Sequence, residues 1–224
     1  MWPIMRAFAA FALVAFAFPA LAAMPRLTLY GMMMDPTDQA ARDYSNPGWG
    51  GGVDASCPLT GTEGLLSVIG GLEFASLYSS TKTFHDQTTG LRVEQHTDQM
   101  YGRFFLGGEL GPHGNGTIQP YGNLALAVVF YGISTDVVIP DDSNLENSIN
   151  QHLSDHNEAA FGWSAGGGVN LNFGRWGIDS SVRFLKQYGV PQQLGAGAVT
   201  IQPSYLQYRV GVSIPIRGKE AVEH

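Results

Sequence analysis

Residues 161–173 alternate with period two. Phe161, Trp163, Ala165, Gly167, Val169, Leu171 and Phe173 fall on one face, and Gly162, Ser164, Gly166, Gly168, Asn170 and Asn172 on the other. An apolar face opposed to a small, polar one reads as a β-strand lying between two different environments. The same split recurs over 206–216, where Leu206, Tyr208, Val210, Val212, Ile214 and Ile216 oppose Gln207, Arg209, Gly211, Ser213 and Pro215. It returns over 100–110, with Met100, Phe104, Leu106 and Leu110 against Tyr101, Arg103, Phe105 and Glu109, and over 178–184, with Ile178, Val182 and Phe184 against Asp179, Ser181 and Arg183. Segments 65–79 and 118–134 are apolar on both faces, and the Gly-rich segment 49–58 completes a set of seven.

The connections add what periodicity cannot. They are short at 59–64, 111–117 and 174–177 and long at 80–98, 135–158 and 189–200, and the two kinds alternate along the chain. A meander of antiparallel strands then carries all its tight turns at one end and all its long loops at the other. For the last strand to end on the short-turn side, an additional strand must precede residue 49. Segment 26–32 supplies it, with 33–48 as the first long loop. The expected fold is all-β, an eight-stranded antiparallel up-and-down transmembrane β-barrel, since single-chain bacterial barrels have an even strand count.

Alternation alone does not distinguish a membrane barrel from a soluble barrel turned inside out. The charged residues decide it. The 224-residue chain has only three Lys, and charged residues make up 14% of it against 44% hydrophobic, too few to clothe a soluble outer surface. The charges within the strands are Asp54, Glu73, Arg103, Glu109, Asp179, Arg183 and Arg209, and all can be placed on the small-residue face. Four acids against three bases predict a paired charge network inside a narrow lumen. Trp49, Tyr78, Tyr101, Tyr131, Phe161, Trp163 and Tyr188 near the long loops, and Tyr121, Phe173 and Trp176 near the short turns, read as two interfacial girdles.

Ahead of the strands, residues 1–23 carry one positive charge at Arg6, an apolar run over 7–18, Pro19 and the small-residue site Ala20-Leu21-Ala22, which reads as a secretory signal peptide. Its removal takes Arg6 and moves the formal net charge from −7 to −8. The expected organisation is 1–23 signal peptide, 24–216 barrel and 217–224 tail. An acidic balance without a basic stripe excludes a nucleic-acid binder, and the lone Cys57 excludes a disulfide scaffold.

Signal peptide, strand rhythm, the Pro120-Tyr121-Gly122 opening of a strand and the apolar last strand together resemble the small outer-membrane β-barrel superfamily of Gram-negative bacteria. One departure is that the chain runs on past Ile216 to His224 instead of finishing on an aromatic residue. The resemblance implies Sec-type export to the outer membrane. It also implies outer-membrane lipid, lipopolysaccharide, periplasmic chaperones and the barrel assembly machinery as partners, with a small solute as a further one. The function expected is non-catalytic, an envelope-structural or surface-binding role through long external loops. The alternative is a narrow porin-like channel for small apolar solutes.

No cofactor and no catalytic residues are expected. Segment 135–158 holds Asp136, Asp141, Asp142, Glu146, Asp155 and Glu158 with no Lys or Arg, but lacks the spacing and turn Gly of a Ca²⁺ loop. Within it, His152 and His156 would share one face of a helix, with Asp155 where an H-x-x-E-H peptidase has Glu. Asp141, Asp142, Glu146, His152 and His156 are therefore weak metal candidates. His152 with Ser154 also lacks the third partner that a Ser/His hydrolase needs. His85, Glu94, His96 and His113 read as exposed loop residues and Cys57 as an inert small hydrophobe. The glycine runs sit inside strands, where they let a tight barrel pack closely.

Overall fold

The protein is described by a computed structural model covering residues 25–42, 45–59, 62, 64–85, 92–112, 116–139, 149–194 and 197–216. The signal segment 1–23 and the tail 217–224 lie outside the described residues.

Among the described residues ten strands form: β1 (Arg26–Pro36), β2 (Gly48–Pro58), β3 (Leu66–His85), β4 (Arg92–Leu110), β5 (Ile118–Ile139), β6 (Ile149–Asn172), β7 (Gly177–Tyr188), β8 (Val190–Leu194), β9 (Gly197–Ile201) and β10 (Ser204–Pro215). A single turn of helix, α1 (Gln39–Arg42), follows β1. Eight strands make a closed antiparallel barrel in which each pairs with its neighbour in sequence and β10 returns to β1, with Arg26 opposite Pro215 and Pro36 opposite Tyr205. The remaining two, β8 and β9, form a separate hairpin between β7 and β10.

Every strand predicted from the alternation is present, and four are much longer than the alternation indicates. β1 and β2 have 11 residues each and β7 and β10 have 12, close to the roughly 9–11 that cross a bilayer. β3, β4, β5 and β6 have 20, 19, 22 and 24. Segments 80–98 and 135–158, expected as loops, are thus largely continuations of these strands. The expected loop 189–200 holds the β8–β9 hairpin. Outside lipid neither face of a strand must be apolar, so the period-two pattern disappears while the backbone ladder continues.

The two faces of the wall differ as a membrane barrel requires. Leu29, Trp49, Leu110, Ile118, Leu124 and Val210 point outward and are each 60% or more exposed, while Glu73, Arg103, Arg183 and Arg209 are at most 3% exposed inside. A continuous apolar outer surface of this kind suits lipid rather than water. Trp49, Phe161, Tyr188, Phe173 and Trp176 lie on that outer surface. Tyr101, Tyr131 and Tyr121, expected in the girdles, are instead buried inside. They fall on the inward parity of their strands, so closeness to a strand end misassigned them.

An eight-stranded lumen is only about one side chain deep, and glycines make the room. Tyr30 lies across β2 at Gly52, where an added Cβ would fall 2.7 Å from the Tyr30 hydroxyl. Phe105 covers β3 at Gly71 and Tyr121 covers β6 at Gly168, each leaving 2.8 Å to an added Cβ. Gly31 faces the other way, and its nearest neighbour would be the Gly50 carbonyl at 4.0 Å. Gly52→Ala should therefore lower unfolding stability by roughly 1–3 kcal/mol through overpacking, and Gly31→Ala should stay within about 0.5 kcal/mol of the parent. Urea unfolding in detergent micelles, followed by tryptophan fluorescence, measures both.

Candidate functional site

The inward positions of the strands bring the seven charged residues singled out in the sequence into one lumen, all at most 8% exposed. At the centre, Arg103 Nη1 lies 2.8 Å from Glu73 Oε2 and Arg103 Nη2 donates to Ser164 Oγ at 2.6 Å. The Tyr30 hydroxyl donates to the other Glu73 oxygen at 2.9 Å. These strands are in register, with Tyr30 opposite Gly52, Gly52 opposite Glu73 and Glu73 opposite Arg103, so the glycine lets the phenol reach across. Arg209 Nη2 donates to Asp54 Oδ2, and Arg183 approaches the same oxygen at 3.6 Å and Glu73 Oε1 at 3.9 Å. Aromatic faces complete the packing: the Arg209 guanidinium carbon is 3.4 Å from the Tyr30 ring centroid, and those of Arg103 and Arg183 are 4.8 and 5.2 Å from that of Phe105.

Towards the short turns a second group forms. Arg26 Nη2 lies 2.8 Å from Glu109 Oε1, which also accepts from Ser56 Oγ at 3.1 Å. The Tyr121 hydroxyl is 2.8 Å from both oxygens of Asp179, with the Arg26 guanidinium carbon 5.5 Å from the Tyr121 ring centroid. Arg26 was missed in the sequence because it is the first residue of β1, at the edge of the weakest alternation. Its inclusion sets Arg26, Arg103, Arg183 and Arg209 against Asp54, Glu73, Glu109 and Asp179, so these buried charges balance. Tyr30 and Tyr121 were also missed. The signal available for them was an inward aromatic opposite, or one strand from, an inward glycine.

Towards the long-loop end buried apolar side chains gather beside the buried Gln99, Gln187 and Gln207, and α1 packs against them. Met34, Leu77, Leu185 and Tyr205 are at most 2% exposed, and Ala41 of α1 is completely buried with them. The first loop is held there by specific bonds. The Asp38 carboxylate accepts from the Ala41 amide at 2.8 Å and from Lys186 Nζ at 3.1 Å. Lys186 Nζ also donates to the Gln202 carbonyl at 2.6 Å and to Ser204 Oγ at 2.8 Å. The Thr37 amide donates to the Ser204 carbonyl at 2.9 Å, and the Ser45 and Tyr205 hydroxyls are 3.2 Å apart. Burial works to raise the Asp38 pKa, but hydrogen bonds from Ser204, the Ala41 amide and Lys186 outweigh it and hold this carboxyl below its ordinary 3.8.

This arrangement is built to fill and to hold. Among the described residues no group of three His, Cys, Asp or Glu is gathered to hold a metal ion. Of the weak metal candidates, Asp141, Asp142 and Glu146 lie outside the described residues, as does His113. His152 and His156 lie on β6, opposite Asp136 and Ile133, and not on a helix, so the i, i+4 geometry expected of that pair does not form. Cys57 is a half-buried free thiol on the outward parity of β2.

Removing one partner of the central pair leaves a buried charge uncompensated. Glu73→Gln should destabilise the barrel by roughly 3–5 kcal/mol, and Arg103→Met in the same chain should recover part of that loss, since a buried pair is often replaceable by apolar residues. Urea midpoints of the two variants check this. The first loop carries a pH dependence with a definite sign. A folded-state pKa below the unfolded value contributes stability that is complete above about 3.8 and lost as pH falls through the lower folded value. Amide exchange at Ala41 should therefore accelerate below pH 3.8 relative to its intrinsic pH trend, and Lys186→Met, which brings the folded value back towards the unfolded one, should make that acceleration smaller.

No protein-family model matches the chain, and no characterised protein matches it in sequence. Solved structures match its fold. Neisserial surface protein A superimposes with a TM-score of 0.55 at 11% identity, covering 85% of this chain and 96% of its own. A major outer membrane protein from Thermus thermophilus superimposes with a TM-score of 0.51 at 11% identity, covering 87% of this chain and 100% of its own. The chain therefore has the fold of the small outer-membrane β-barrels.

Proposed function

We propose that this protein is an integral outer-membrane barrel of a Gram-negative bacterium, reached by Sec-type export. It does no chemistry, and it acts in envelope structure or in binding at the cell surface. The observation that carries this reading is the double closure of the lumen. Four Arg and four carboxylates fill the lumen from the short-turn side to its centre, and α1 with Met34, Leu77, Leu185 and Tyr205 covers the external end. A lumen plugged in this way leaves the tall rim of β3–β6 and the connections above it as the working surface. Lipid and lipopolysaccharide surround the apolar belt, and periplasmic chaperones and the barrel assembly machinery deliver the chain.

A second reading, a narrow passage for small apolar solutes, is favoured by one feature. An apolar recess of about 420 Å³ opens on the outer wall over Gly102, between Phe74, Met100 and Phe130. It faces the lipid side, so passage would also require the lumen seal to part.

Fractionation of expressing cells, with gels of unheated and boiled membranes, tests the first reading. It is expected to give outer-membrane recovery and a heat-dependent mobility shift. Planar-bilayer recordings of the same material should show no steady conductance for the parent. Recovery in the soluble periplasm without a shift overturns the membrane barrel, and steady conductance of the parent overturns the plugged lumen.

A further inference from the structure

The recess on the outer wall exists because β4 lacks a side chain there. Gly102 stands directly opposite Phe74 of β3 and Phe130 of β5. Directly opposed residues share one face of a sheet, and here it is the outward one, because Tyr101 and Arg103 on the other parity are buried inside. The two rings wall a hollow floored by the Gly102 backbone, with Leu72 on the short-turn side and Met100 on the long-loop side. Its 420 Å³ lies within the roughly 300–1,000 Å³ of ligand pockets. An added Cβ at Gly102 would lie 3.5 Å from the Phe74 ring and 3.8 Å from Phe130 Cβ, which are ordinary contact distances. Unlike Gly52 or Gly71, this glycine is not required by close packing, and what it supplies is open space.

The wall changes character immediately beyond Met100. The next outward positions are Asp98, His96 and Glu94 on β4, and Gly132, Ser134 and Asp136 on β5 stand directly opposite Met100, Asp98 and His96. Asp98 Oδ2 lies 2.8 Å from His96 Nε2, with both side chains 42% exposed. These positions hold three carboxylates and no Lys or Arg. Gly132 places no side chain between the recess and Ser134. The row of Asp98 and Ser134 is four residues from that of Gly102 and Phe130, about 13 Å at the rise of a strand. An apolar hollow within the belt thus continues into an acidic edge at its rim. The phosphates of lipopolysaccharide and phospholipid are anionic, so the edge disfavours the heads of the bulk lipid.

From this juxtaposition we infer that the recess over Gly102 docks the alkyl tail of one single-chain amphiphile with a cationic ammonium head, the head lying at Asp98 beside Ser134 and Asp136. An ammonium brings a compact positive charge and N–H donors to an edge made of acceptors. An uncharged solute would fill the recess and gain nothing from the acids. A second copy of the barrel would set one acidic edge against another. The occupant is held from the lipid side and does not pass inward, because behind the floor Arg103 is engaged by Glu73 and Ser164. The assignment rests on the reading that this wall faces lipid.

The test is titration of the full barrel in dimyristoylphosphatidylcholine nanodiscs with dodecylammonium, dodecanol and laurate, followed by the amide resonances of Gly102 and Gly132. The heat-dependent gel shift checks that each variant is folded. Dodecylammonium should saturate at about one per barrel and bind roughly tenfold tighter than dodecanol, with laurate weaker than both. Gly102→Leu, which fills the recess, should weaken it by at least about tenfold. Asp98→Asn should weaken dodecylammonium by roughly three- to fivefold and leave dodecanol unchanged. Gly108→Leu, at an outward glycine whose added Cβ has no neighbour nearer than 4.0 Å, should have less than about a twofold effect. Equal binding of dodecanol or laurate overturns the cationic head, and indifference to Gly102→Leu or an equal loss with Gly108→Leu overturns the recess. Failure of binding with the gel shift intact overturns this assignment alone, whereas loss of the shift in the parent overturns the membrane barrel as well.

Discussion

Closure of the ladder between β1 and β10 is the interaction on which the rest of the structure depends. A strand that crosses lipid must satisfy every backbone N–H and C=O within the protein, and an open sheet leaves two edges that cannot be satisfied there. Closing eight strands removes the edges but also fixes a small radius. Everything that points inward must then fit a space about one side chain deep. The cross-strand placements of Tyr30 over Gly52, Phe105 over Gly71 and Tyr121 over Gly168 solve this steric problem. Each large ring lies along the wall instead of meeting another at the axis.

The same narrowness governs the charges. An arginine in a dry lumen costs several kcal/mol unless an acid is within reach, so the interior tolerates cations only in company with anions. Asp54 serves Arg209 closely and Arg183 at a longer distance, and Glu73 is shared by Arg103, Tyr30 and Arg183. Such sharing ties β1, β2, β3, β4, β7 and β10 together through side chains as well as through the ladder. An apolar filling could give equal stability, but it would not distinguish one strand register from the next, because a slip of one residue would expose every charge to lipid.

How much of this was legible in the sequence follows from where solvent contrast exists. Between lipid and lumen the two faces of a strand meet different surroundings, so 100–110, 161–173, 178–184 and 206–216 showed their parity openly, and the inward placement of Arg103, Glu109, Asp179, Arg183 and Arg209 followed from it. Above the bilayer both faces meet water. There the chain of β3–β6 continued as strand without a pattern to reveal it, and 135–158 read as a loop. Parity also outranks position: Tyr101, Tyr121 and Tyr131 looked like interfacial aromatics by their place along the strand, and their odd-numbered inward register put them in the core. The pairing of specific partners was not readable at all, since Arg209 and Asp54 are 155 residues apart and meet only once the barrel is closed.

That last point bears on the seal at the external mouth. α1 and its flanking residues belong to the start of the chain, yet they dock on its end: Asp38 on Lys186, Thr37 on Ser204 and Ser45 on Tyr205, the last pair separated by 160 residues. None of these bonds has a partner until β7 and β10 have arrived, and loop closure over most of the chain must come first. The barrel therefore stays open at its outer end throughout construction and shuts only on completion. Water trapped between the strands has an exit until the final step, and the buried arginines need not shed it before their acids are in place.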